Sequence, residues 1–186
     1  MTKNSTILTL LFGLTVFVSC GQNSKPNPAD KFLDFLNNYQ VDSLETLVAD
    51  NFQLKRTYTT YTNHKKSFID KYVPNSKSVN GKYKILKASN TGLTTDFLVE
   101  DESDYLKYLN IEYPKWKVQI ITNGQGMIER MTVDTTENYQ TYLTQTKEKG
   151  EQFDGWLKLK YPKETDETLY NTTGLLTQRL KEYSTR

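Results

Sequence analysis

Residues 115–133 read KWKVQIITNGQGMIERMTV, and this stretch decides the fold class. Polar and apolar residues alternate in its first half, which is the pattern of a half-buried β-strand. Asn123-Gly124 then supplies the dipeptide most typical of a tight hairpin turn. The apolar positions of the outgoing and return strands are Trp116, Val118, Ile120, Ile128, Met131 and Val133. The stretch therefore predicts an antiparallel β-hairpin with one buried face.

The chain before this hairpin carries further strand patterns. Alternation over residues 82–86 and 93–99, with an Asn-Thr-Gly turn at 90–92, predicts a second hairpin. Residues 100–104 are predicted to form a solvated acidic loop, and residues 105–113 one long strand. The predicted inward face of the whole sheet is nearly all apolar and consists of Phe97, Leu109, Ile111, Tyr113, Trp116, Val118 and Ile120.

Three amphipathic helices precede the strands. An asparagine followed by a proline predicts the start of a helix over residues 28–39. Asp42 or Ser43 is the predicted cap of a second helix, and a third is predicted to start at Asn63 and stop at Pro74. Three helices packed on a curved antiparallel sheet of about four to five strands make an α+β arrangement.

Residues 137–186 form a separate, helical piece. Their apolar spacing predicts an interrupted helix that ends at residues 161–162 and a last helix over 169–183, together a C-terminal helical hairpin. Gly150 and Gly155 each weaken the first helix by about 1 kcal/mol relative to Ala. Because an amphipathic hairpin must bury its apolar stripe, we expect it to pack on its own chain, close the mouth of the sheet, or pair with another copy.

This order of helices and strands resembles the nuclear transport factor 2-like (SnoaL-like) cone fold over about residues 28–135. The matching features are the short opening helix, the second helix leading into Asp50-Asn51-Phe52, and the closing hairpin over 115–128. Enzymes of that fold, such as ketosteroid isomerase and scytalone dehydratase, place Asp, His or Tyr inside the cone. No motif of theirs matches here, so the resemblance implies the fold and carries over no catalytic residue.

The N-terminal segment reads MTKNSTILTLLFGLTVFVSC, a charged start followed by a short apolar run. The run is shorter than the roughly 20 apolar residues of a membrane-spanning helix, and the pattern is typical of a secretory signal. Val18-Ser19-Cys20-Gly21 resembles a bacterial lipobox, in which the cysteine is acylated and becomes the new N-terminus. The alternative is an ordinary secretion signal that contains a cysteine.

The lipobox resemblance implies a domain organisation and a location. Residues 1–20 are the lipoprotein signal peptide with its lipidation site, 21–27 a flexible tether, 28–136 the cone-like domain and 137–186 the C-terminal extension. Lipid attachment at Cys20 would hold the protein in the bacterial cell envelope, on the periplasm-facing outer membrane. A triacylated cysteine anchors stably because more than one acyl chain enters the bilayer.

Composition excludes several classes of function. The 186 residues carry 24 Lys+Arg against 22 Asp+Glu, a formal net charge of +2. Such a chain lacks the basic surface of a nucleic-acid-binding protein, so we expect no nucleic-acid partner. The single cysteine excludes internal disulfides and a multi-cysteine metal site. The sequence has no P-loop, Gly-rich dinucleotide turn or nucleophile elbow, and we expect no cofactor.

Few residues have catalytic potential. His64 is the only histidine and lies beside Lys65 and Lys66, so we expect it at the surface rather than in a catalytic or metal site. Asp96 and Glu112 fall on the outward parity of the predicted sheet. We therefore predict no catalytic residue and no metal ligand.

The remaining feature is tyrosine, of which the chain has 13. Tyr and Trp pair an apolar ring with a polar group and are enriched where one end is dry and the other wet. They either supplement a thin apolar core or line a pocket for a small apolar or aromatic-stacking ligand. The predicted ligand-binding residues are Tyr58, Tyr61, Phe97, Tyr113 and Trp116.

These observations favour a membrane-anchored envelope lipoprotein that binds a small ligand or a protein partner without catalysis. One alternative is a small periplasmic enzyme of isomerase, dehydratase or cyclase type that uses a buried Asp or Tyr. Another is a scaffold or oligomerising envelope protein, for example a homodimer, with residues 137–186 as its interface.

Overall fold

A curved mixed sheet of six strands organises the protein, whose computed structural model describes residues 27–186. The strands lie in the order β2-β1-β6-β5-β4-β3. All neighbours are antiparallel except β1 and β6, which are parallel. The strand bounds are β1 (Val48–Arg56), β2 (Thr62–His64), β3 (Lys82–Thr91), β4 (Thr94–Glu102), β5 (Lys115–Thr122) and β6 (Ile128–Asp134).

Helices precede, interrupt and follow the strands. A π-helical segment (Phe68–Tyr72) joins α3 to α4 without a break. The helix bounds are α1 (Pro28–Asn37), α2 (Val41–Leu47), α3 (Lys65–Ser67), α4 (Val73–Ser78), α5 (Asp104–Tyr108), α6 (Tyr139–Lys160), α7 (Asp166–Asn171) and α8 (Leu175–Ser184). The predicted α+β class is confirmed. The sheet has six strands, where four to five are predicted, and one pair is parallel.

The opening helix forms as its sequence predicts. The Asn27 side chain caps α1 by accepting a hydrogen bond from the Ala29 amide at 3.0 Å, and proline occupies the first helical position. At the other end, the Asn37 amide donates to the Tyr83 carbonyl and accepts from the Tyr83 amide, both at 2.8 Å. These two hydrogen bonds fix the end of α1 on strand β3. The buried residues of α1 are Ala29, Phe32, Leu33 and Leu36.

The hairpin over 115–133 is also confirmed, as β5 and β6. Its turn is longer than two residues. The Asn123 side chain accepts hydrogen bonds from the amides of Gln125 and Met127, at 3.0 and 2.9 Å. Gly126 has a φ of +82°, a left-handed conformation that glycine adopts without a steric cost.

The predicted strand over residues 105–113 is wrong. Ser103 accepts a hydrogen bond from the Leu106 amide at 3.2 Å and so caps a short helix, α5, followed by an irregular segment. Leu106 and Leu109 are spaced for a helix, and Asn110, with a φ of +54°, ends it. Leu109, Ile111 and Tyr113 therefore do not belong to the inward face of the sheet.

The boundaries of the second and third helices also differ from their prediction. The second begins at Val41, before Asp42 and Ser43, and has no side-chain cap. Asn63 pairs with Leu54 in the sheet, so the third begins only at Lys65. Pro74 does not end it, because it lies in the first turn of α4, directly after the wider π-helical turn. Proline has no amide hydrogen to donate, and the helix continues past it after the wider turn.

Two apolar clusters stabilise the fold. The cone core lies between the sheet and the N-terminal helices, and Phe32, Phe52 and Phe68 form its fully buried centre. The C-terminal core joins α5 and the segment after it to α6, α7 and α8. Its buried members are Leu106, Leu109, Ile111, Phe153, Leu157, Leu169, Leu176, Leu180 and Tyr183.

The C-terminal helices differ from the prediction in continuity. Helix α6 runs through Gly150 and Gly155 without interruption and ends before Tyr161, as expected. The predicted last helix is two helices, separated at Gly174, which has a φ of +76°. The extension packs on its own chain, because α8 contacts α5 and α6. The boundary between residues 136 and 137 as a domain boundary stays a prediction.

The predicted signal peptide, Cys20 and most of the predicted tether lie outside the described residues. Within residues 27–186, no helix has both the length and the apolar character that crossing a bilayer requires.

Candidate functional site

A cavity of about 450 Å³ opens between the sheet and the C-terminal helices. Strands β1, β3, β4 and β5 supply one wall. The end of α1, the π-helical segment, α4 and α5 supply its sides. Helices α6 and α7 cover it through Tyr142, Thr146 and Tyr170. Its volume lies within the range of small-molecule sites, roughly 300–1,000 Å³.

Trp116 is the centre of the aromatic wall. The Tyr58 ring stacks on it with a centroid distance of 5.2 Å, and Tyr139 and Tyr142 meet it edge-on at 5.8 and 5.6 Å. The Trp116 indole Nε1–H donates to the Asp101 carboxylate at 3.2 Å. Three elements thus fix one indole ring, and that ring holds the only carboxylate among the cavity-lining residues described.

Asp101 lies in the cavity because it continues an apolar strand face. Phe97, Val99 and Asp101 follow one another at every second position of β4, so all three lie on its inward face. Burial raises the pKa of this carboxyl from 3.8 to about 6, and the hydrogen bond from Trp116 opposes the rise. The prediction of a solvated acidic loop over residues 100–104 is therefore wrong at Asp101.

Arg56 lies in the wall for the same reason, since it follows Phe52 and Leu54 on the inward face of β1. Its guanidinium carbon lies 5.2 Å from the centre of the Tyr72 ring, within cation–π range. No carboxylate of residues 27–186 lies within ion-pair distance of it. The hydroxyls of Tyr72 and Tyr83 contact each other at 3.1 Å, and burial raises the pKa of both.

The C-terminal side of the cavity depends on a close approach. A side chain at Gly150 of α6 would lie 2.7 Å from the Tyr105 hydroxyl, so glycine makes room for that ring. Burial raises the pKa of Tyr105 to about 12. Thr146, one turn earlier on α6, also lines the cavity, and its buried hydroxyl has no hydrogen-bond partner among the described residues.

The predicted ligand-binding residues separate into two groups. Tyr58 and Trp116 lie together in the cavity wall. The other three lie elsewhere: Phe97 is buried in the cone core, Tyr61 is 58% exposed, and Tyr113 packs against the C-terminal core. Phe97 precedes the cavity on its strand, and Tyr113 follows α5 rather than a strand. A role in ligand binding stays a prediction for all five.

Three residues considered for catalysis lie in solvent. His64, Asp96 and Glu112 are all exposed. Residues 27–186 contain no group of three or more His, Cys, Asp or Glu side chains arranged to hold a metal ion. The charged side chains in the cavity wall are instead Asp101, which was predicted to lie in a solvated loop, and Arg56, which is not among the predicted site residues. Continued period-two alternation along β1 and β4 is the signal that identifies them.

Comparison with solved structures gives the fold a context. The chain is similar to a protein assigned as a SnoaL-like polyketide cyclase from Shewanella putrefaciens, with a TM-score of 0.55 and 12% identity. That match covers 77% of this chain and 99% of the other. It is similar to an LEH-like epoxide hydrolase of M. tuberculosis, with a TM-score of 0.51 and 13% identity over 73% and 93% of the two chains.

A third similar structure is a protein assigned as a ketosteroid isomerase from Kribbella flavida. Its TM-score is 0.51 and its identity 15%, over 60% of this chain and 77% of that one. No protein-family model matches the chain, and no curated protein matches its sequence. At these identities the likeness shows the fold alone. The chain thus has the cone fold of nuclear transport factor 2-like and SnoaL-like proteins.

Proposed function

We propose that this protein binds a small molecule in the cavity between the sheet and helices α6 and α7. The observation that carries the proposal is an aromatic cavity of about 450 Å³ that contains one arginine and one carboxyl group. Small-molecule sites are concave, mostly apolar, and contain a few polar groups that orient the ligand. Arg56, Asp101 and the buried tyrosine hydroxyls have that arrangement.

A cavity-filling variant tests this proposal. Thr146→Trp places an indole in the cavity from α6, whereas Lys147→Trp adds the same group to the exposed side of that helix. A thermal-shift screen of small envelope metabolites and aromatic compounds identifies ligands of the wild type. Ligand at 100 times its Kd stabilises a protein by about 2.7 kcal/mol, which such a screen detects.

We expect hits that stabilise the wild type and Lys147→Trp and that do not stabilise Thr146→Trp. Soaked crystals are then expected to show the compound against Trp116. Stabilisation of Thr146→Trp equal to that of the wild type would contradict the proposal, because the ligand would then bind outside the cavity.

A second candidate function is acid–base catalysis, and the position of Asp101 favours it. A carboxyl with a pKa near 6 takes up and releases protons close to neutral pH, as a general base must. In such a reaction the Asp101 carboxylate removes a proton from carbon beside a carbonyl. The electron pair moves to the carbonyl oxygen, and the proton then returns to a second position. The positive charge of Arg56 would stabilise the developing oxyanion.

Deuterium incorporation in D₂O tests this function without a known product. Nuclear magnetic resonance detects loss of the C–H signal in any carbonyl compound that binds. We expect exchange with the wild type and with Asp96→Asn, a control on the exposed face of the same strand, and none with Asp101→Asn. Unchanged exchange in Asp101→Asn, or none in the wild type with bound carbonyl compounds, would reject catalysis and leave a binding protein.

We further propose that Cys20 carries a lipid that anchors the protein in a bacterial envelope. Support comes from Val18-Ser19-Cys20-Gly21 and from the short apolar run before it. In cell fractions, we expect wild type in the membrane with incorporated labelled fatty acid. Cys20→Ala should be released or remain as an uncleaved precursor, while Ser24→Ala in the tether should match the wild type. Normal anchoring of Cys20→Ala would overturn this proposal.

A further inference from the structure

We propose that the ligand of the cavity is a small organic anion, a flat apolar body with one carboxylate, whose carboxylate binds Arg56. This inference rests on the proposed binding function and adds the chemical class of the ligand. Three observations support it: the charges that line the cavity, the surroundings of Arg56, and the aromatic wall.

The charges around the cavity favour an anion. Its lining contains two cationic side chains, Arg56 and Lys82, and one carboxyl, Asp101. Neither cation has an ion-pair partner within 4 Å in residues 27–186. Lys82 is exposed at the rim, where it attracts an anion from solution, whereas Arg56 lies in the wall. A ligand with one negative charge therefore meets an excess of positive charge.

Arg56 is suited to a carboxylate in particular. Its guanidinium lies over the Tyr72 ring, which fixes the side chain but supplies no negative charge. A charge that is partly removed from water is costly unless it is paired. The planar guanidinium offers two parallel N–H donors to a carboxylate, which is the geometry of the strongest ionic hydrogen bonds in proteins.

The aromatic wall favours a flat body for the same ligand. The rings of Tyr58, Tyr72 and Trp116 all line the cavity. Asp101 forms no ion pair with Arg56 within 4 Å, and its carboxylate accepts a hydrogen bond from the Trp116 indole. Burial raises the pKa of Asp101 and so favours its neutral form, which places less negative charge beside a bound anion.

A matched set of probes tests the inference by calorimetry: 2-naphthoate, 2-naphthamide and 2-naphthylmethylammonium. They share one aromatic body and carry a negative, a neutral and a positive group. The proteins are the wild type, Arg56→Gln, Arg56→Lys and Asp101→Asn. Lys55→Gln, an exposed lysine on the neighbouring position of β1, is the control for loss of one positive charge. Thermal unfolding checks that each variant is folded.

We expect 2-naphthoate to bind the wild type at least about tenfold more tightly than 2-naphthamide, because a hydrogen bond between two charged groups is stronger than one to a neutral amide. That preference should persist in Lys55→Gln, fall in Arg56→Lys and vanish in Arg56→Gln. Asp101→Asn should bind 2-naphthoate as tightly as the wild type or more tightly, because it removes the negative charge from the cavity.

Other outcomes overturn the inference in distinguishable ways. Preference for the amide or the ammonium probe, or an anion preference that survives in Arg56→Gln, refutes the anionic ligand and leaves the cavity as a binding site. Failure of all three probes to bind the folded wild type refutes the flat anionic ligand, whereas the binding function is refuted separately, by the thermal-shift comparison with Thr146→Trp.

Discussion

The cone core and the C-terminal core differ in what holds them together. In the cone core, strands paired by backbone hydrogen bonds form one layer. Phe32 of α1, Phe52 of β1 and Phe68 of the π-helical segment pack at its centre, with ring centroids 4.9–6.0 Å apart. Helices α6, α7 and α8 make no backbone hydrogen bond to the sheet within residues 27–186 and pack through side chains. The cavity therefore has one wall held by backbone pairing and one held by side-chain packing.

Truncation of the cone core should have the largest effect. Phe68→Ala removes a fully buried ring that contacts Phe32, Phe52 and Tyr72. We expect the free energy of unfolding to fall by about 3–5 kcal/mol, as measured by urea denaturation. Hydrogen exchange should accelerate in the sheet and the C-terminal helices together. If α6 and α8 kept wild-type protection, their stability would not depend on the cone core.

Truncation of a side chain in the C-terminal core should instead destabilise the C-terminal helices without destabilising the sheet. Leu180→Ala leaves a cavity beside Phe153 and Leu176, at a cost of about 2–5 kcal/mol. We expect faster hydrogen exchange in α6, α7 and α8, with the sheet still protected, and loss of ligand binding at the cavity. Equal acceleration in the sheet would mean that the two cores unfold as one unit.

Asp101, between the two cores, should make stability depend on pH. Its pKa in the folded protein is raised from 3.8 to about 6, so the folded state holds its proton more tightly than the unfolded state. Stability is therefore lost as pH rises across that interval. We expect urea denaturation to show that Asp101→Asn loses less stability with rising pH than the wild type and Asp96→Asn do. The same loss in all three proteins would contradict burial of the Asp101 carboxyl.

The two glycines of α6 offer the smallest and most closely matched comparison. Gly155→Ala, where the added carbon meets nothing within 4 Å, should stabilise the protein by about 1 kcal/mol. Gly150→Ala should gain less, because its new carbon must displace the Tyr105 hydroxyl toward the cavity, and it should weaken ligand binding. If thermal unfolding showed equal stabilisation of the two variants, with unchanged ligand binding, the Tyr105 hydroxyl would not need the space beside Gly150.

The fold was accessible from sequence where a pattern repeats over many residues. Strands β3, β4, β5 and β6 follow from alternation, and α1 follows from its cap, its proline and its apolar spacing. The structure of residues 105–113 could not be predicted in this way, because their apolar residues fit a strand or a helix equally well. A single side-chain cap at Ser103 decides between the two.

The cavity was harder to predict from the sequence than the fold. Arg56 and Asp101 each end an apolar alternation, and a charged residue at that point is typical of a strand leaving the core. Local pattern does not show that α6 and α7 then pack over those strand ends and turn them into a wall. Tyr58 and Trp116 were predicted because aromatic rings with polar groups favour such half-dry surfaces.

The parallel pairing of β1 with β6 has a consequence for how the protein is made. Of the six strands in residues 27–186, β1 is the first to emerge during synthesis and its parallel neighbour β6 is the last. Leu54 of β1 lies beside Met131 of β6. Pairing over such a separation along the chain slows folding, because the chain must close a large loop before the contact forms. The sheet thus closes only after residue 134 has been added, and a binding cavity lined by Tyr170 must be among the last features to mature.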